Sequence, residues 1–181
     1  MLGLVILEEF PQSLSPATLS SIRYKCATCE KIHDGLPDLG FDAPIYWHGK
    51  HDSKTSLLDS DLCVLNGKDF FLRALLEIPI PKSGERLGWG IWSSVSRDNF
   101  DLYAKGEQLS GSYFGWFSNH LPGYEDTVNL KCMLHLQDAG LRPLVELGAT
   151  DHQLAIDQRE GITVERALEL IELSGIRILS V

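Results

Sequence analysis

The 181-residue chain lacks the short motifs that most directly announce a chemistry. It contains no Gly-x-Gly-x-x-Gly, P-loop, Gly-x-Ser-x-Gly or His-Glu-x-x-His. Nucleotide-dependent and common hydrolase reactions therefore find no support, and no nucleotide cofactor is expected. Positive charge is scarce: 16 Lys and Arg face 25 Asp and Glu, for a formal net charge of −9. That balance argues against a phosphate-backbone binder, so no nucleic-acid partner is expected. Long apolar runs are missing as well. Met1–Leu7 stops at Glu8-Glu9 with no Lys or Arg before it, which reads as neither a signal peptide nor a membrane span. Elsewhere Gly, Pro and charges interrupt each apolar segment far short of the roughly 20 residues that cross a bilayer. A cytoplasmic protein without a membrane partner is the expectation. Four cysteines are too few for a disulfide scaffold, and in a reducing compartment a close pair reads as metal-binding or catalytic.

The pattern along the chain predicts an α+β fold: a mainly antiparallel sheet, C-terminal helices and a loop-rich, zinc-braced N-terminal lobe. Residues 1–23 read as an appendage, with a short helix after Ser15-Pro16, and residues 24–181 as one domain. Within it, 24–60 is a lobe rich in Gly, Pro, Asp and His, 61–148 the sheet, and 149–181 a helical tail.

Asn66-Gly67 between two apolar segments predicts a hairpin, because both residues tolerate the positive φ angles of a type I′ turn. After it, Phe70, Leu72, Ala74, Leu76 and Ile78 share an inward face and Asp69, Arg73 and Glu77 the other, with Pro79 and Pro81 expected to end the pairing. Leu87–Val95 is a third strand, with Trp89 and Trp92 on opposite faces. Ser96 should cap a helix closed by Gly106. Tyr113–Ser118, Val128–Leu136 and Leu141–Leu147 read as further strands. Asp151 and Thr163 should cap the two tail helices, the second burying Ala167, Leu168, Ile171 and Leu173, and Ile176–Val181 adds a last strand.

Six ordered blocks carry a resemblance to a known family. They are Cys26-Ala-Thr-Cys29 with His33-Asp-Gly-Leu-Pro37, then Ser60-Asp-Leu-Cys-Val64, then Phe70-Phe-Leu-Arg73 with Leu76-Glu-Ile-Pro79. Trp89-Gly-Ile-Trp92, Tyr113-Phe-Gly-Trp116, and Thr150-Asp-His152 with Gln158-Arg-Glu-Gly161 complete the set. Together they resemble the bacterial family called domain of unknown function 2199, over roughly Tyr24 to Leu173. The resemblance implies a bacterial protein and carries no reaction with it. Two departures stand out: residues 1–23 look like an addition, and Ala74 stands where glycine is expected.

Cys26-x2-Cys29 lets two thiolates converge on one ion from a tight turn. A second half can be drawn in two ways. His33 and Cys63 would complete a Cys3His site, the preferred set; His48 and His51 would make Cys-x2-Cys-x18-His-x2-His, with a tighter second spacing than zinc fingers use. Structural zinc is the cofactor expected. A redox role for the pair meets an objection, since Gly35, Pro37 and Gly40 follow too soon for the helix that lowers a thioredoxin-type thiol pKa.

The catalytic candidates are weaker. Asp151 and His152 open a helix, where a neutral imidazole beside a carboxylate is usable as a base. Arg73, with Glu77, Trp92 and Trp116, offers an aromatic-walled groove. His120, Glu125 and Asp126 share a polar loop that reads equally well as solvated surface. The leading reading is a zinc-stabilised binding or adaptor domain for a protein or small-molecule partner. The alternatives are an enzyme using His152 and Arg73, and a Cys-x-x-Cys redox sensor.

Overall fold

A computed structural model describes residues 22–26, 29–107 and 110–180. The expected short helix after Ser15-Pro16 lies outside the described residues. In chain order the elements are β1 (Arg23–Lys25), β2 (Ile32–Asp34), β3 (Leu39–Gly40), β4 (Leu57–Leu58), β5 (Leu62–Leu65), β6 (Asp69–Ile80) and β7 (Glu85–Val95). Then come α1 (Arg97–Ala104), β8 (Ser112–Phe117), β9 (Lys131–His135), β10 (Leu144–Leu147), α2 (Gln153–Glu160), α3 (Val164–Leu173) and β11 (Arg177–Ser180). The class is α+β, with mainly antiparallel sheets and C-terminal helices.

The larger sheet closes on itself. β6 pairs antiparallel with β7, β7 with β8, β8 with β9 and β9 with β10, and β10 then returns to β6. Four antiparallel steps leave the first and fifth strands running the same way, so the closing β10–β6 pairing is parallel, at Leu144↔Leu75 and Val145↔Leu76. Closure gives each of the five ring strands two neighbours, and the edges that remain belong to the short β3 and β4. Inward positions from all five strands fill the interior, with Leu76, Ile78, Trp89, Ile91, Phe117 and Leu134 among its fully buried side chains. Leu154 from α2 and Ala167, Leu170 and Ile171 from α3 complete this core.

β6 and β7 are long enough to change partners along their length. The first half of β6 pairs with β5 (Leu62↔Leu72) and the second half with β10. Opposite, β7 pairs with β3 at Trp89 and Gly90 and with β8 at Ser93 and Ser94. The handover on β6 falls at Arg73, whose N–H donates to the Asp61 carbonyl while the Leu75 N–H donates to that of Pro143. Outside the barrel, Cys63, Phe71 and Trp92 form a second buried cluster under Phe41, Tyr46 and Trp47. β1 and β2 stand in a separate three-stranded antiparallel sheet with β11.

Several local expectations hold. Asn66 and Gly67 both take positive φ, at 52° and 65°, and the Lys68 N–H closes the turn on the Leu65 carbonyl. The Ser96 side chain accepts from the Asn99 N–H, and Thr163 accepts from the Arg166 N–H.

Others are corrected. Pro79 does not end the β6–β7 pairing, which runs on to Ile80↔Glu85. Its carbonyl accepts from the Ile162 N–H, so that edge of the residue faces away from β7 and no ladder donor is lost. The strand predicted over Val128–Leu136 is confined to β9, because Asn129 takes a φ of 67° just before it. His152 caps α2 in place of Asp151, its Nδ1 accepting from the Leu154 N–H. The buried stripe of α3 is Val164, Ala167, Leu170 and Ile171; Leu168 is half-buried at its margin and Leu173 is exposed, because at 3.6 residues per turn Leu173 falls on the side opposite Val164.

Candidate functional site

The first cluster grows out of the β1–β2 hairpin. After β1 the Cys26 N–H donates to the Lys31 carbonyl and the Glu30 N–H to that of Cys26, with Glu30 at a φ of 58°. This tight reversal sets His33 of β2 opposite Tyr24 of β1, their rings stacked with centroids 5.6 Å apart. The donor atoms of Cys26, Cys29 and His33 all lie within 4.8 Å of one another, and Cys29 Sγ is 3.1 Å from His33 Nε2. A tetrahedral zinc ion with bonds of about 2.0–2.3 Å needs such atoms roughly 3.5–3.8 Å apart, so the set can close on an ion by small rotamer shifts. Burial, followed by the charges of Cys26, Asp38 and Cys29, raises the Tyr24 hydroxyl above its ordinary range.

Cys63 does not join this group. It is fully buried on β5 against Phe71 and Trp92, and burial, reinforced by the Asp59 charge, pushes its thiol up to about 12. Its sulfur lies outside the group that Cys26, Cys29 and His33 form. The alternates stay apart as well: His48 contacts the Ile45 carbonyl through Nδ1, and the His51 ring rests on Trp47 with centroids 4.0 Å apart. Neither belongs to the Cys26–Cys29–His33 group.

The second cluster occupies the β6 handover. A cavity of about 760 Å³ opens there, bounded by residues 38–42 around β3, by Asp61 and Arg73, and by 137–142 before β10. The Arg73 guanidinium crosses a shelf made by two paired glycines. A Cβ on Gly40 would stand 3.2 Å from Arg73 Nη2, and one on Gly90 3.3 Å from Nε. Trp92 lies beneath, with the guanidinium carbon 6.0 Å from the ring centre. Nη1 makes a long 3.4 Å contact to the Ser60 carbonyl, and Nε is buried without a hydrogen-bond partner. Burial and then the Arg142 charge depress the Arg73 pKa, and Asp42 and Asp61 offset this only in part. Arg142 is pinned by the 2.6 Å bond from its Nε to Asp61 Oδ1. Burial opposes ionisation of Asp61, but hydrogen bonds from Ser60 and Arg142 outweigh it and hold the carboxyl below its usual range.

Trp92 supports Arg73 from within the buried cluster, whereas Glu77 and Trp116 line other cavities, so the four residues do not share one groove. Asp151 and His152 are also outside the Arg73 cavity. His152 Nε2–H donates to the Glu125 carbonyl over 2.6 Å, tying α2 to the 119–126 loop. Both ring nitrogens are thereby engaged in structure.

A residue-by-residue reading misses one further constellation. Ser112 Oγ is 2.7 Å from His135 Nδ1, and His135 Nε2 is 2.6 Å from Glu146 Oε2, across β8, β9 and β10. Alternation places His135 outward, but only the strand register sets Ser112 opposite it. The adjoining cavity is lined by His135 and Glu146 and not by Ser112, so the hydroxyl and the cleft do not converge.

The profile of one protein family matches residues 25–162, which span both clusters up to the loop after α2. The chain belongs to DUF2199, an uncharacterised protein family conserved in bacteria. No curated protein and no solved structure matches it. DUF2199 membership therefore brings no reaction and no ligand to these residues. No helix among the described residues of this DUF2199 chain is long and apolar enough to cross a membrane.

Proposed function

We propose that this DUF2199 protein is a cytoplasmic, non-catalytic ligand-binding domain whose β1–β2 hairpin is braced by a structural zinc ion. The observation that carries the reading is the convergence of Cys26 Sγ, Cys29 Sγ and a His33 ring nitrogen within 4.8 Å on one short hairpin. Three-residue β1 and β2 bury little apolar surface of their own, so a cross-link by metal supplies what packing does not. Cys26, Cys29 and His33 would hold the ion, which when bound supplies folding free energy to the hairpin and through it to β11. The ligand-binding part of the reading is supported by the cavity at Arg73, within the size range of small-molecule sites.

The test is elemental mass spectrometry on untagged protein purified under reducing conditions, with melting before and after chelation. About one zinc per chain, a lower melting temperature with chelator, and loss of both in Cys29→Ser are expected. Metal-free protein with both hairpin thiols freely titratable would overturn the zinc reading. The 3.1 Å approach of Cys29 to His33 also suits a thiol pair activated by imidazole. Metal-free protein in which mild oxidation reversibly couples Cys26 to Cys29 would establish that redox reading in its place.

A further inference from the structure

We infer that the cavity at Arg73 binds a small zwitterion, an amino acid or the end of a short peptide, with its carboxylate on the Arg73 guanidinium and its ammonium on the carboxylates of the rim. The inference deepens the ligand-binding reading above and does not depend on the metal.

Three observations carry it. The fold makes the cavity, because β6 exchanges β5 for β10 at Arg73, and the gap between those two neighbours cannot be filled by pairing. The cationic head is also prearranged. Gly40 and Gly90 leave room for the guanidinium, Trp92 supports it, and its only hydrogen bond among the described residues is a 3.4 Å contact from Nη1, with Nε unpaired. Nη1 makes only that long contact and Nη2 makes none among the described residues, and such a planar fork matches a carboxylate in two parallel bonds. The third observation concerns the remaining charge. Arg142 and Asp61 neutralise each other at 2.6 Å, which leaves Arg73 facing Asp38 and Asp42 in the same cavity. One cation opposite two carboxylates disfavours a phosphate dianion and complements a molecule that carries both a carboxylate and an ammonium group.

Isothermal titration of the twenty L-amino acids and of diglycine into the full-length protein tests this. Parallel titrations use inorganic phosphate and the decarboxylated amine of whichever amino acid binds. At least one zwitterion should bind; its amine counterpart and phosphate should not. Arg73→Lys keeps the charge but loses the fork and should weaken binding roughly tenfold or more. Gly90→Ala crowds the guanidinium and should weaken binding in the same direction, while Lys82→Ala, outside the cavity, should bind as wild type does. Circular dichroism on each variant separates lost binding from lost folding, and Gly40→Ala replaces any variant that fails to fold. Silence across the amino acids and diglycine, equal binding of the amine, or Arg73-dependent binding of phosphate alone would each overturn the zwitterion assignment. Of these, Arg73-dependent phosphate binding would leave the broader ligand-binding reading standing.

Discussion

Gly115 on β8 faces β7 with no room for a side chain, and Gly115→Ala measures how tightly that wall is closed. The new Cβ would lie 2.4 Å from Ser93 Oγ, 2.6 Å from the Ser94 carbonyl oxygen and 2.9 Å from Leu134 Cδ1. A side-chain hydroxyl can rotate away, but the Ser94 carbonyl belongs to β7. Ordinary contact begins at 3.4 Å, so the two strands must separate by about 0.8 Å. The clash falls on the β7–β8 seam itself, whose paired positions are Ser93↔Phe117 and Ser94↔Trp116, so relief strains that pairing directly. Overpacking of this kind costs about 1–3 kcal/mol. Displacement of Ser93 Oγ from the Trp116 carbonyl at 3.2 Å removes a hydrogen bond worth about 1 kcal/mol more. A total near 3 kcal/mol is a large part of the roughly 5–15 kcal/mol that holds a domain folded. Urea unfolding followed by tryptophan fluorescence reads it directly. Gly148→Ala, whose Cβ would come no closer than 3.4 Å to the Lys131 carbonyl, is the matched control and should change stability by less than about 1 kcal/mol. A Gly115→Ala protein within about 0.5 kcal/mol of wild type, or a Gly148→Ala protein equally damaged, would refute the closed seam.

The buried thiols should separate from the hairpin thiols in reactivity. A thiol reagent at pH 8 should modify Cys26 and Cys29 after chelation, and Cys63 and Cys132 only after unfolding, since burial pushes the last two up to about 12 and about 11. Both folded values exceed the reference of 9.0, so the protonated thiol favours the folded state: that contribution is complete below about pH 9 and is lost as pH rises through 11 and 12. The urea midpoint should therefore fall above pH 9, and the fall should be shallower in Cys63→Ala; an identical slope in the two proteins would contradict this. At the start of α2, His152→Ala should cost about 1 kcal/mol through loss of the cap, and His152→Asn should recover much of it by supplying another acceptor for the Leu154 N–H. Equal stability of the Ala and Asn proteins by thermal melting would show that the imidazole is not a cap.

What the amino-acid order determined by itself is local. Asn66-Gly67 dictates its turn because few residue pairs accept two consecutive positive φ angles, and Ser96 and Thr163 start their helices because a side-chain oxygen can satisfy an N–H that the first turn leaves open. Cys26, Cys29 and His33 were legible as one group for the same reason: seven or fewer residues separate them, and a single hairpin brings them together. Cys63 stands apart from that group in a way its letter does not show; only the tertiary packing places it in the buried cluster with Phe71 and Trp92. His152 took the capping role from Asp151 because the second bond, to the Glu125 carbonyl, comes from a loop that sequence cannot place beside it. The parallel β10–β6 closure and the Arg73 cavity belong wholly to tertiary structure. Alternation reports which face of a strand is buried but not which strand lies next to it. The cavity's walls come from segments around residues 38–42, 61–75, 88–90 and 137–142, which meet only once the five-stranded ring has closed.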